Sequence, residues 1–162
     1  MGPSKPRNPG ENLRERRMTR RVLIDSNVFI EYLKGNPKAM EMLISLLSGD
    51  YELFINAIVY SEVVFLFLSK TTGLSAFTLK KKPTVVTNSG VGKVIALLGQ
   101  FKVAEINDVV LQTASEIIKN HGLLPNDAII LATAKVYGMS LATLDSDFEA
   151  PSKAENVSIY SP

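Results

Sequence analysis

Carboxylates recur in this chain where apolar segments begin or end. Asp25 follows three apolar residues in "RVLIDSNVFIEYLKG", Asp127 opens "NDAIILATAKVYG", and Asp145 and Asp147 close "LATLDSDF". Glu62 is different, because it lies inside "NAIVYSEVVFLFL". A helix over that segment is apolar on nearly every face, which predicts a buried helix, and a buried carboxylate without a partner is costly. No lysine or arginine lies within a helical turn of Glu62 on either side. It therefore calls for a distant basic residue, protonation or a bound cation. Several convergent carboxylates without histidine or cysteine partners are hard oxygen donors, suited to Mg²⁺ or Mn²⁺ rather than to Zn²⁺.

Such a set can hydrolyse a phosphodiester with water as the nucleophile, because one or two divalent ions neutralise the phosphate and acidify the attacking water. Other chemistries are closed by composition. The chain has no cysteine, hence no thiolate nucleophile, no disulfide and no Cys-based metal site, and this fits a reducing, cytoplasmic setting. Its single histidine, His121, cannot supply a two-histidine acid–base pair. In "KNHGLL" it reads as a charge partner at a helix C-terminus.

The elements that must position these acids follow from the apolar pattern. Short apolar runs predict strands near 22–25, 52–55, 102–105 and 140–144, with a last one at 157–160. Helical periodicity predicts helices at 27–34, 37–48, 57–70, 88–100, 107–120 and 127–137. Their punctuation includes Pro37 at a start, Gly49 and Gly138 past ends, and Asn126 before the last helix. Strand and helix in alternation predict an α/β domain with a mostly parallel central sheet, whose ligands bind beyond the C-terminal ends of the strands. Asp25, Asp127, Asp145 and Asp147 sit at element ends that can meet at that edge. The segment 71–90 fits no single element and reads as a helix–loop–helix excursion.

"LIDSNVFIEYL", "NAIVYSEVVF", "NDAIILATA" and "LATLDSDF", in this order and spacing, resemble the four signature blocks of PIN-domain nucleases, and especially of VapC-type toxin ribonucleases. The resemblance spans residues 22–149. It implies a three-layer α/β/α sandwich and a Mg²⁺- or Mn²⁺-dependent endoribonuclease. Its acidic cluster carries over onto Asp25, Glu62, Asp127 and Asp145 as metal ligands, with Asp147 in support. Ser26 stands where the family often has Thr and keeps the hydroxyl. The resemblance also implies an RNA substrate, an antitoxin protein as partner, and a homodimer, for which the apolar helices of 57–100 are the expected interface. Two alternatives are a housekeeping RNA-processing nuclease without antitoxin and an RNA-binding protein with a degenerate metal site.

Each acid also has an ordinary structural reading. Asp25 can cap a helix, a task Ser26 or Asn27 can equally perform; Asp127 suits the helix dipole; Asp145 and Asp147 suit a turn. Asn56 can cap the Glu62 helix or support the site. "NSGVGKV" departs from a phosphate loop at Thr87 and Val94 and reads as a helix start. The charge is uneven: residues 1–21 hold seven basic and two acidic residues, a net +5, and the remainder holds eleven basic and fourteen acidic, a net −3. Residues 1–20 thus read as a basic, disordered arm before a domain over 21–162. Arg20, Arg21, Lys80, Lys81 and Lys82 are the candidate RNA contacts, the three lysines competing with a solvated-turn reading. The apolar runs fall short of a membrane span.

Overall fold

A computed structural model describes residues 19–162. Residues 1–18, which carry most of the expected basic arm, lie outside the described residues. Four parallel strands form one sheet in the order β3-β2-β1-β4, with β1 Arg20–Ile24, β2 Tyr51–Ile55, β3 Lys102–Val103 and β4 Ser140–Ala142. Val22, Leu23 and Ile24 are essentially unexposed, as the central strand of a sheet covered on both faces must be. The register pairs Leu23 with Phe54 on one side and with Leu141 on the other. The strands therefore end level, and the residues that follow them share one edge.

Helices surround the sheet: α1 Ser26–Leu33, α2 Pro37–Ser48, α3 Ala57–Thr72, α4 Ala76–Lys81, α5 Pro83–Thr87, α6 Gly92–Leu98, α7 Asp108–His121, α8 Pro125–Tyr137 and α9 Glu149–Ala154. A 3₁₀ turn, Ser146–Phe148, precedes α9. The expected parallel α/β architecture is present. The segment 71–90 resolves into the two short helices α4 and α5. Gly73 stops α3 in the left-handed region, Ser75 caps α4, and Pro83, which cannot continue a helix, restarts the chain as α5.

Three expectations need correction. The helix expected over 88–100 is confined to Gly92–Leu98, because the chain turns through Gly90 at φ +80° first. The expected strand at 157–160 is a single parallel bridge between Leu141 and Ile159, and α9 was not anticipated. The third concerns α3. Only Val59 and Val63 of this helix are buried, while Tyr60 and Phe65 are about two-fifths exposed, at 41% and 42%. The helix packs by one stripe against α1, α6 and α8, and its outer apolar face is uncovered among the described residues. Glu62 borders the buried stripe and is half-exposed. Glu62 is therefore not the buried carboxylate that its apolar surroundings in sequence predict.

Candidate metal and active site

The buried carboxylate is Asp25. It follows β1 directly, its amide bonds to the Ala142 carbonyl at 2.9 Å, and only 2% of the residue is exposed. It occupies the N-cap position of α1, yet its side chain caps nothing. Its carboxylate turns to two hydroxyls instead: Thr143 Oγ1 donates to Oδ2 at 2.8 Å, and Ser26 Oγ lies 3.3 Å from Oδ1. Burial, with the charges of Asp127 and Glu62 nearby, raises its pKa from the ordinary 3.8 to about 7 against the lowering effect of the Thr143 bond.

The other acids are drawn to this point by different elements. Ser26 Oγ lies 3.0 Å from Glu62 Oε1, so one hydroxyl stands between the Asp25 and Glu62 carboxylates. Asn126 Nδ2 donates to Glu62 Oε2 at 3.3 Å. Helix α8 begins at Pro125, two residues earlier than its periodicity predicts, so Asn126 lies within the first turn instead of capping it. Asp127 follows it, half-buried. Its pKa is raised by burial first and then by the charges of Glu62, Asp145 and Asp147. Asp145 accepts the Asp147 amide at 2.9 Å and starts the 3₁₀ turn, while its own amide donates to Thr143 Oγ1 at 3.0 Å. Asp147 is exposed and acts on Asp145 through its backbone.

Sequence reasoning missed Thr143. Its hydroxyl donates to Asp25 and accepts from the Asp145 amide, tying two acids 120 residues apart in sequence. A hydroxyl directly after a strand and two residues before an acid was the available signal. Asn27 does not cap α1. Its Oδ1 accepts the Leu144 amide at 3.2 Å, joining α1 to the loop after β4. Asn56 is wholly buried, so it cannot touch a substrate; its Oδ1 caps α3 at Val59 (3.0 Å) and its Nδ2 donates to Thr133 of α8 (2.9 Å). It thereby locks together the helices that carry Glu62 and Asp127.

Two of the expected basic contacts, Arg20 and Arg21, are not at this edge. Arg20 and Arg21 begin β1, so Arg21 lies about 13 Å along the strand from Asp25. Arg21 also donates to the carbonyl of Tyr137, at the far end of α8. Lys80 and Lys81 end α4 and Lys82 caps it; all three are exposed, and Lys81 covers the Phe77 ring at 4.0 Å. They form a helix end and not the turn considered for them. His121 pairs with Glu155 at 2.8 Å, the structural role expected of it.

Among the described residues, no basic side chain forms an ion pair with Asp25, Glu62, Asp127, Asp145 or Asp147. Nor is any group of three acids arranged to enclose an ion as it stands. The donor chemistry nonetheless fits a hard divalent cation: carboxylates and hydroxyls only, mutually repelling, with one carboxylate buried and uncompensated.

Fold and site together define a class, that of parallel α/β domains whose acids gather at the C-terminal edge of the sheet. Residues 22–154 match the model of the PIN domain family, and the chain belongs to that family. It is 32% identical over 130 residues to Ribonuclease VapC2 of Methanocaldococcus jannaschii, covering 80% of this chain and 87% of the relative. It is 37% identical over 139 residues to Ribonuclease VapC6 of the same organism, covering 79% and 90%. The fold is shared with a toxin–antitoxin complex from Klebsiella pneumoniae, at a TM-score of 0.56 and 23% identity over 78% of this chain and 89% of that one. No helix among the described residues is long and apolar enough to cross a membrane.

Proposed function

We propose that this protein is a Mg²⁺- or Mn²⁺-dependent endoribonuclease and the toxin of a toxin–antitoxin pair. The observation that carries the reading is the buried Asp25, uncompensated by any basic group among the described residues and surrounded by Glu62, Asp127 and Asp145. Asp25, Glu62, Asp127 and Asp145 hold the ion in this reading. When bound, the ion neutralises the scissile phosphate and acidifies an attacking water. Thr143 and Ser26 orient the Asp25 carboxylate, Asn126 restrains Glu62, and the Asp147 amide fixes Asp145. These groups restrain the acids before substrate arrives and so limit the movement needed for them to close on an ion.

The two relatives named as ribonucleases, aligned over about four-fifths of this chain, support RNA as substrate and hence a cytoplasmic setting. The resemblance to VapC-type toxins, and a fold seen in a toxin–antitoxin complex, support a protein partner that covers the acidic edge. The uncovered apolar side chains Tyr60, Phe65, Phe77 and Ile95, carried by α3, α4 and α6, support a homodimer through those helices.

Incubation of purified protein with single-stranded RNA tests this directly. Cleavage is expected with Mg²⁺ or Mn²⁺, none with EDTA, and none from Asp25→Asn or Asp145→Asn proteins whose circular dichroism matches wild type. Wild-type rates from Asp25→Asn would overturn the site assignment. Expression without the partner is expected to arrest growth, and the Asp25→Asn protein is not.

A further inference from the structure

An open groove of about 620 Å³ adjoins the acidic edge on the side of Asp145. Its volume falls within the range of sites that take a ligand of nucleotide size. Its walls include Asn27, Asn36, Lys38, Leu144, Asp145 and Ile159. Thr143, which holds Asp25, also lines it, so the groove is continuous with the candidate active site.

Three features of this groove suit a strand of RNA. The first is an oriented donor. A backbone amide can only donate, so the bond from Leu144 N–H identifies the Asn27 oxygen and leaves the Asn27 Nδ2 as the donor branch of a carboxamide that lines the groove together with Asp145. The second is a cation. Lys38 is exposed and, among the described residues, forms no ion pair. Of the groove's other two carboxylates, Glu31 is already engaged by Lys34 at 2.5 Å and by Asn36 at 3.1 Å, and Glu149 stands exposed at the start of α9. The third is an apolar platform: Leu144 is half-buried and Ile159 is 37% exposed. Donors, one free cation and an apolar surface are what an unstacked nucleotide and its phosphate require.

We propose that this groove is the subsite for the nucleotide adjoining the scissile phosphate, with the Lys38 ammonium on that nucleotide's outer phosphate and the Asn27 amide donating to the strand beside Asp145. The inference rests on the endoribonuclease reading and deepens it by assigning substrate contacts. Lys38 stands at the start of α2 and Asn27 in the first turn of α1. Both are therefore held on rigid elements, and the segment of RNA they contact is fixed relative to the acids.

Fluorescence anisotropy with a 3′-fluorescein, mixed-sequence, single-stranded 8-mer RNA tests it in the Asp25→Asn background with Mg²⁺ present, so that binding is read without cleavage. Adding Lys38→Gln is expected to weaken binding about fivefold, the size of one exposed ion pair. The slope of log K against log salt should also become shallower by about 0.7, the value for one single-strand phosphate. Asn27→Asp keeps the acceptor for the Leu144 amide but removes the donor, and should weaken binding as well. Lys119→Gln, whose lysine pairs with Glu116 on α7, should leave both affinity and slope unchanged.

Unchanged affinity and slope in Lys38→Gln, an equal loss in Lys119→Gln, or no detectable binding of the 8-mer would overturn the subsite. The nuclease reading fails separately, if wild-type protein cleaves no RNA while the Lys38→Gln contrast in binding persists.

Discussion

Asp25→Asn is expected to make the metal-free protein more stable at pH 8 while destroying its activity. The wild-type carboxyl titrates near 7 in the fold and near 3.8 in the unfolded chain. At about 1.4 kcal/mol per pH unit, that separation corresponds to about 4 kcal/mol against the ionised form once the pH exceeds 7. The sign follows from proton binding. Between pH 4 and 7 the folded state holds a proton that the unfolded state has released, so the stability contribution of the neutral group is progressively lost as pH rises through that window. Asparagine carries no charge to desolvate and keeps one oxygen for the Thr143 hydroxyl, and the charge-assisted bond it gives up is already contained in the folded value of about 7. The net gain at pH 8 is therefore about 4 kcal/mol. At pH 4.5, where Asp25 of the folded wild type is neutral and only the unfolded chain is ionised, the gain should fall to about 1 kcal/mol. Urea unfolding in EDTA at the two pH values measures both numbers by linear extrapolation. A variant less stable than wild type by the same amount at both pH values would refute the reasoning, because the cost of burying Asp25 ionised would then be absent. Mn²⁺ should raise the melting temperature of the wild type and not of the variant, since a ligand of the native state stabilises it by mass action.

Other substitutions probe the supports. Thr143→Val removes the hydrogen bond that lowers the Asp25 pKa, so Asp25 should titrate above 7 and the acid limb of the pH–rate profile should move to higher pH, with at least a tenfold loss of rate at pH 7. Asn56→Ala removes the α3 cap and orphans the Thr133 contact in a wholly buried site, and should cost about 2–3 kcal/mol by urea unfolding. Glu62→Gln keeps an oxygen to face Ser26 and removes a charge near Asp127, so the Asp127 pKa should fall while metal-dependent cleavage is lost; NMR titration of the side-chain carboxyl follows the first and RNA cleavage the second.

The alternation of short apolar runs with helical periods was enough to predict a parallel α/β sheet and to place Asp25, Asp127 and Asp145 at element ends, because both patterns are local properties of the chain. The same pattern misled at α3. Its all-round apolarity was read as burial, whereas the helix is covered on one stripe and uncovered outside, a distinction periodicity does not contain. The buried carboxylate that calls for a cation is therefore Asp25 and not Glu62. Arg20 and Arg21 are candidate RNA contacts by charge alone, and strand direction places them at the edge opposite the acids.

The sequence by itself thus determined which acids exist, which elements carry them and which chemistries are closed by the absence of cysteine and a second histidine. Only the tertiary structure decided that Asp25 is the carboxylate removed from water, that Thr143 holds it from across the sheet, that Asn27 faces the groove and that Asn56 is a lock between α3 and α8. Each of those depends on a partner far away in sequence, Asn56 and Thr133 being 77 residues apart and Asp25 and Thr143 118. Burial and long-range hydrogen bonds are set by which elements become neighbours, and that is a property of the packed sheet that no local window of the chain contains.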